Sequence, residues 1–404
     1  MSEWKEYRLG DFMEFNPKIS LKRNTVARKI AMDQLVPHTR DVFSWTYEPY
    51  SGGTKFQNGD TIMARITPCL ENGKHAFISL LDDNEIAFGS TEFIVIRGRK
   101  DISDNSFVYY LSKFPSFKEA AIKSMVGSSG RQRAQVDVLE NLTMMLPALP
   151  EQILIASFLS SLDDKITVNK KICENLEAQA QALFKNWFVD FAPFKNGKFV
   201  ESELGLIPEG WRVGKAEDFY TINIGKTPPR AERQWFSESK GNNKIWISIS
   251  DMGGCGTFIS DSKEYLIPEA QSKFNIAMVP AGTVLLSFKL TIGRVAIADY
   301  ELTTNEAIAR FILPNSDYRE FTYLYLRQYK YGSLGSTSSI ATAVNSKIIK
   351  SMPFLMPSSE VMAKFSTVAG KLFDEIRILN NESLRLATLR DTLLPKLMSG
   401  QIKL

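Results

Sequence analysis

Two stretches of this chain carry the same hydrophobic seam, 210 residues apart. In the first, Ile155, Leu159, Leu162, Ile166, Asn169, Cys173, Leu176, Ala180, Leu183 and Trp187 follow one another at alternating steps of four and three. In the second, Phe365, Ala369, Leu372, Ile376, Leu379, Ser383, Leu386, Arg390, Leu393 and Leu397 do the same, each 210 after its counterpart. A 4-3 repeat is the contact face of a long helix lying on another helix. Roughly 33 residues of seam predict about 50 Å of helix. Asn169, Ser383 and Arg390 are polar at seam positions. They either fix register at a cost in stability or sit at an edge shared with solvent or a partner.

Each seam follows some 150 residues of different texture. Short β-rich runs, Asp60–Ile66 and Thr91–Ile96, alternate with turn signals such as Ser51-Gly52-Gly53 and Glu71-Asn72-Gly73, and Ser106–Met125 reads as a helix. Trp4 with Asp11-Phe12 returns as Trp211 with Asp218-Phe219 at an offset of 207. Gly127-Ser128 with Val136 returns as Gly335-Ser336 with Val344 at an offset of 208. The offset drifts inside the globules and locks at 210 along the seams, because loops absorb insertions that a packed helix face cannot. The expected fold is α+β and duplicated. A mixed globule occupies 1–149, a helical region 150–191, a linker 192–210, a second globule 211–356 and a second helical region 357–404.

Composition mainly excludes. The chain has 404 residues, 44% of them apolar, enough for two to four cores, yet no apolar run approaches the ~20 residues of a membrane span. Cys69, Cys173 and Cys255 are scattered, and there are only two histidines, so a zinc site is not expected and the compartment reads as reducing cytoplasm. A net charge of +4 is too small to announce a nucleic-acid binder. Gly225-Lys226-Thr227 lacks the earlier glycine of a phosphate-binding loop and reads as a turn at a strand end. Gly253-Gly254-Cys255-Gly256 reads as a flexible turn, and no Asn/Asp-Pro-Pro-Tyr/Phe motif of an adenine-N6 methyltransferase occurs, so no catalytic machinery is expected.

Residues 149–166 read LPEQILIASFLSSLDDKI, and 187–211 read WFVDFAPFKNGKFVESELGLIPEGW. With the duplication, these resemble the specificity subunit of type I restriction–modification systems across essentially the whole chain. The second copy departs from the pattern, with Met356-Pro357-Ser358-Ser359-Glu360 where LPEQ would stand. The resemblance implies two target-recognition globules in a pseudo-two-fold arrangement, with the two helices packed as an antiparallel coiled coil between them. It implies a non-catalytic, sequence-specific binder of double-stranded DNA that reads a bipartite target, one half-site per globule, with the gap set by the helices. Two methyltransferase (modification) subunits and restriction/translocase subunits would be its partners. S-adenosylmethionine, ATP and magnesium would belong to them, and the chain itself would hold no cofactor. The rival reading is a coiled-coil protein-interaction scaffold without DNA binding, and a further one is a stand-alone protein with no active partner.

Candidate DNA contacts can be named by chemistry. Ser128, Ser129, Arg131, Gln132 and Arg133 form a polar loop expected to be flexible; arginine can bridge two guanine acceptors and glutamine can pair with adenine. Ser336, Thr337 and Ser338 occupy the equivalent loop of the second copy. Arg65, Lys74 and His75 follow a strand in the first globule, and Lys289 and Arg294 follow its equivalent in the second. Arg230 and Arg233 with Trp235, and Trp45 with Tyr47, could supply flanking contacts. Phe184, Trp187 and Phe188 are expected to pack or to meet a partner.

Overall fold

The computed structural model describes residues 4–334 and 344–404. Its two long helices span Leu149–Phe188 and Ser359–Met398, 40 residues each, so both ends stand 210 apart. Each is about 60 Å long. Every one of the twenty seam residues is buried or half-buried. Ala156, Asp163, Phe184 and Phe188 in the first helix, and Met362, Phe373, Leu394 and Met398 in the second, are buried beside the seam. The covered face is therefore the broad stripe of a globular helix, wider than a coiled-coil line.

The helix starts differ as the sequences do. Pro150 lies in the first turn of the first helix, where its missing N–H costs nothing. Buried Gln152 donates to the carbonyls of Ile102 and Pro147 and accepts from the Asp104 N–H, tying the helix to its globule. Its counterpart is the buried Met362, and the second helix is capped by the Ser358 hydroxyl, which accepts from the Val361 N–H.

The chain forms two compact units, residues 1–168 with 382–404, and residues 169–381. In the first, strand Lys5–Arg8 pairs antiparallel with Thr143–Leu146. One sheet runs in the order Met13–Phe15, Phe93–Gly98, Thr61–Ala64, His75–Phe77, and a second runs Thr46–Pro49, Val26–Ile30, Ala87–Gly89, Thr54–Phe56. The expected helix 106–125 is two helices, Asn105–Lys113 and Pro115–Lys123. Pro115 cannot continue the first and instead opens the second. The core packs Leu9, Phe12, Phe107, Tyr110, Leu139 and Leu146 against Ile155 and Leu159 of the first helix and Leu394, Leu397 and Met398 of the second.

The second unit repeats this plan. Arg212–Lys215 pairs antiparallel with Pro353–Met356, the strands of the first pair displaced by 207 and 210. A five-stranded sheet orders Thr221–Ile224, Ile308–Ile312, Val284–Ser287, Val295–Ala298, Phe258–Ile259. Its core packs Phe321, Tyr323 and Phe354 against Ala180, Phe184 and Phe188 of the first helix and Phe365, Ala369 and Phe373 of the second. The Phe188 ring lies 4.8 Å from Phe321 and 4.7 Å from Phe365, so the aromatic end of the first seam packs internally. Residues 192–210, expected as a linker, contain an antiparallel hairpin of Phe199–Ser202 and Gly205–Pro208.

Within each unit the helix segments run antiparallel. Asp163 meets Arg390 while Lys165 meets Glu382 in the first, and Cys173 meets Asn380 while Trp187 meets Phe365 in the second. Two mixed globules with an internal repeat and two long antiparallel helices match the expected fold. Arg390 is no edge residue: it is buried and ion-paired with equally buried Asp163, which also accepts from the Tyr110 hydroxyl at 2.7 Å. Asn169 is buried as well, and Ser383 is half-buried. Among the described residues, no helix is long and apolar enough to cross a membrane.

Candidate nucleic-acid interface

In the first globule the fold joins two stretches that stand far apart in sequence. Leaving strand Thr61–Ala64, residues 65–67 pair with the returning 132–134. Thr67 N–H donates to Gln132 C=O at 3.0 Å, Ala134 N–H donates to Arg65 C=O at 2.8 Å, and Ile66 bridges Arg133. Val126 and Arg133 exchange backbone hydrogen bonds of 3.1 and 3.0 Å, and Arg131 N–H donates to Ser128 C=O at 2.9 Å. Gly130, at φ +75°, supplies the positive φ that this tight turn needs. The polar loop is thus a closed hairpin whose tip exposes Ser128, Ser129 and Arg131.

Two of its arginines are already engaged. Arg133 is gripped by the Glu92 carboxylate at 2.7–3.0 Å, and that hydrogen bond holds Glu92 below its ordinary carboxylate range. Half-buried Arg65 donates to Ala134 C=O at 3.2 Å. Lys74 Nζ donates to Met32 C=O at 2.7 Å. His75 is a correction: it lies in the core, both ring nitrogens are buried, and desolvation pushes its pKa down to about 3. A strand that begins at position 75 points this side chain inward, which removes it from surface contact. Gln132 is half-buried beside the exposed tip.

The second globule places Lys289–Arg294 between strands Val284–Ser287 and Val295–Ala298, the position that 65–74 takes in the first. Arg294 is half-buried and donates to Ile249 C=O at 2.6 Å, pinning the loop base. Lys289 is exposed at the tip. Between it and Thr291, Leu290 is fully exposed at φ +59°, a conformation that a branched side chain rarely adopts. Sequence reasoning passed over Leu290 because an isolated leucine reads as core. Its only signal was its place between Lys289 and Thr291.

Arg230 lies over the rings of Phe236 and Trp246, 4.5 and 4.6 Å from their centroids, and its guanidinium bridges Glu264 at 2.6 Å. Arg233 is exposed and 3.5 Å from the same carboxylate. Trp235 is half-buried. Trp45 and Tyr47 are exposed and stack over Arg28 rather than entering the core. Gly225-Lys226-Thr227 leaves the strand end as irregular chain and not as the expected turn, hydrogen-bonded to Ile308 and Thr304, and a Cβ on Gly225 would lie 2.1 Å from the carbonyls of Thr304 and Asn305. Gly253 and Gly254 end a short helix, Ile249–Gly254, and are not a flexible turn. Ser336, Thr337 and Ser338 lie outside the described residues.

Arrangements of this kind, basic and hydroxyl side chains at loop tips over rigid sheets, suit contacts to phosphates and base edges. The family model described as "Type I restriction modification DNA specificity domain" matches twice, over residues 1–178 and 208–380. The chain is 25% identical, over the full length of both proteins, to the type I restriction enzyme HindI specificity subunit of Haemophilus influenzae. It is 28% identical to the MjaIX specificity subunit of Methanocaldococcus jannaschii, over 75% of this chain and 70% of that one. A crystal structure of the S subunit of a type I restriction–modification system from M. genitalium shares the fold. Its TM-score is 0.53 at 13% identity, with 98% of this chain and 96% of that chain covered.

Proposed function

This chain belongs to the type I restriction–modification DNA specificity family, and we propose that, as a non-catalytic specificity subunit, it reads a bipartite target in double-stranded DNA. Each globule reads one half-site. The observation that carries this is the repeat itself: one plan of strands built twice, with different side chains exposed on the loops of each globule. Arg131 with Ser128 and Ser129 offers hydrogen bonds in the first globule, while Lys289 and Leu290 offer a charge and an apolar contact in the second. Guanine acceptors suit the arginine, and a thymine methyl suits the leucine. The remaining candidates, the amide Gln132 and the basic Arg65, Lys74, Arg133, Arg230, Arg233 and Arg294, act as supports that hold these tips or touch the DNA backbone.

The two equal helices would set the unread gap, since about 60 Å corresponds to roughly 18 base pairs at ~3.4 Å per step. Modification and restriction subunits would supply methylation and cleavage, with S-adenosylmethionine, ATP and magnesium as their cofactors, in the cytoplasm. Exposed apolar residues on the helices, Val168 and Leu389 in the first unit and Ile378 in the second, offer surface for such partners. The test is to co-express the chain with its neighbouring methyltransferase gene and map adenine methylation across a genome. A split motif supports the reading. A continuous motif overturns the bipartite reading, and no motif overturns it in favour of a scaffold without DNA binding.

A further inference from the structure

A cavity of about 170 Å³ in the first unit is lined by His38, His75, Lys113, Lys118 and Asp391, with Gly73, Pro115, Leu394 and Pro395. Both histidines of the chain face it. The Lys113 ammonium is buried with no hydrogen-bond partner, and so are both ring nitrogens of His75. Buried polar groups are normally paired, so three such atoms around one space call for an occupant.

The neighbouring carboxylates do not fill that role. Asp163 and Asp391 both face Lys113, but each is paired with Arg390, which presents its own charge to the lysine. Arg40 is likewise committed to Asp41 and Asp164. Lys113 is left without a hydrogen-bonded anion, its ammonium 5.5 Å from the Tyr109 ring centroid, and burial lowers its pKa to about 8. A second feature has the same sign. Helix Pro115–Lys123 opens at the cavity with no side-chain cap and no acidic residue in its first turn, and carries Lys118 there instead, whose ammonium donates to the Glu71 carbonyl at 3.1 Å but meets no carboxylate among the described residues. A helix start is the positive end of the dipole, so a lysine there is unfavourable unless an anion lies beside it. Backbone geometry keeps the space open: Gly73 sits at φ +71°, and a Cβ there would lie 2.8 Å from the His38 ring.

We propose that this cavity is a binding site for a small tetrahedral oxyanion of the phosphate or sulfate class. The anion would accept from the Lys113 and Lys118 ammonium groups and from an N–H of each imidazole. Its room for several water-sized groups suits a free oxyanion and leaves no space for a nucleoside. Because Asp391, Leu394 and Pro395 form one wall, the bound anion would fasten the end of the second helix to the first globule.

The two histidines make the test direct. Inorganic phosphate and sulfate are titrated into the full-length chain at constant ionic strength, with the histidine Cε1–H resonances observed by NMR. Both resonances are expected to shift and saturate, whereas chloride and acetate leave them in place. Lys113→Met should weaken the response about tenfold, since one charge-assisted hydrogen bond is lost. Met replaces an unpaired buried charge with hydrocarbon and should fold. Lys118→Ala gives an independent second loss, and Lys123→Met, on the exposed far end of the same helix, gives none. Resonances that do not saturate, an equal response to acetate, or an unchanged response in Lys113→Met each overturn the proposal. None of these outcomes depends on DNA binding.

Discussion

Replacing Arg390 by methionine should destabilise the first unit by about 3–5 kcal/mol, the cost of stranding a buried charge whose partner is removed. The structure sets the upper range, because the Asp163 and Arg390 side chains are each only 4% exposed. Asp163 would keep a single neutral donor, the Tyr110 hydroxyl. Removing the whole arrangement with Asp163→Leu, Arg390→Met and Tyr110→Phe should restore most of that loss, because well-packed hydrocarbon replaces a buried pair at little net cost. The second unit already contains such a solution: the positions 210 away, Phe373 and Ala180, are buried and apolar. Native-state hydrogen exchange at amides of residues 105–123 is the assay, since a chain of two compact units does not melt as one two-state system. A loss below about 1 kcal/mol for Arg390→Met, or a triple variant no better than the single one, would refute the reasoning. Restoration would also indicate that the ion pair serves register more than stability, since sliding either helix by a heptad leaves both charges unmet.

Acid should weaken the first unit through His75. The folded side chain binds a proton only near pH 3 while the unfolded one does so near 6.5, so its stabilisation is complete above about 6.5 and is lost as pH falls. By pH 5 the loss is about 2 kcal/mol, and urea titrations of a His75→Leu variant should show a flatter pH dependence. Gly225→Ala should lower the stability of the second unit by at least about 2 kcal/mol, read by thermal denaturation, because two backbone carbonyls occupy the space of the new methyl. Arg131→Ala should reduce the salt slope of DNA binding by about one if it meets a phosphate. Leu290→Ser should lower affinity and leave the slope unchanged, and equal slopes for both variants with unchanged affinity would remove both from the interface. Deleting one heptad from each long helix should shorten the unread gap by about three base pairs with both half-sites intact; an unchanged gap refutes the spacer role.

Much of this architecture is local enough to read from the chain. The seams declare the long helices because a 4-3 repeat admits no other regular structure, and their constant offset announces equal lengths before any coordinates. Their limits, Leu149–Phe188 and Ser359–Met398, repeat that offset. Pro115 shows the other side of the same locality: its signal was in the sequence, yet the apolar period around it masked the break it makes.

The functional surface is a different matter, because exposure and pairing depend on what the distant chain brings alongside. Nothing in the sequence near His75 says that a sheet closes over it, or near Arg133 that Glu92 will take its guanidinium, or near Arg390 that Asp163 waits across the helix pair. What the amino-acid order determined alone was periodicity, and with it a duplicated molecule of two globules and two long helices. Only the tertiary structure decided which charges are neutralised and which remain at the loop tips. Periodicity is encoded over a few residues, whereas the field around a charge is assembled from segments a hundred or more residues apart.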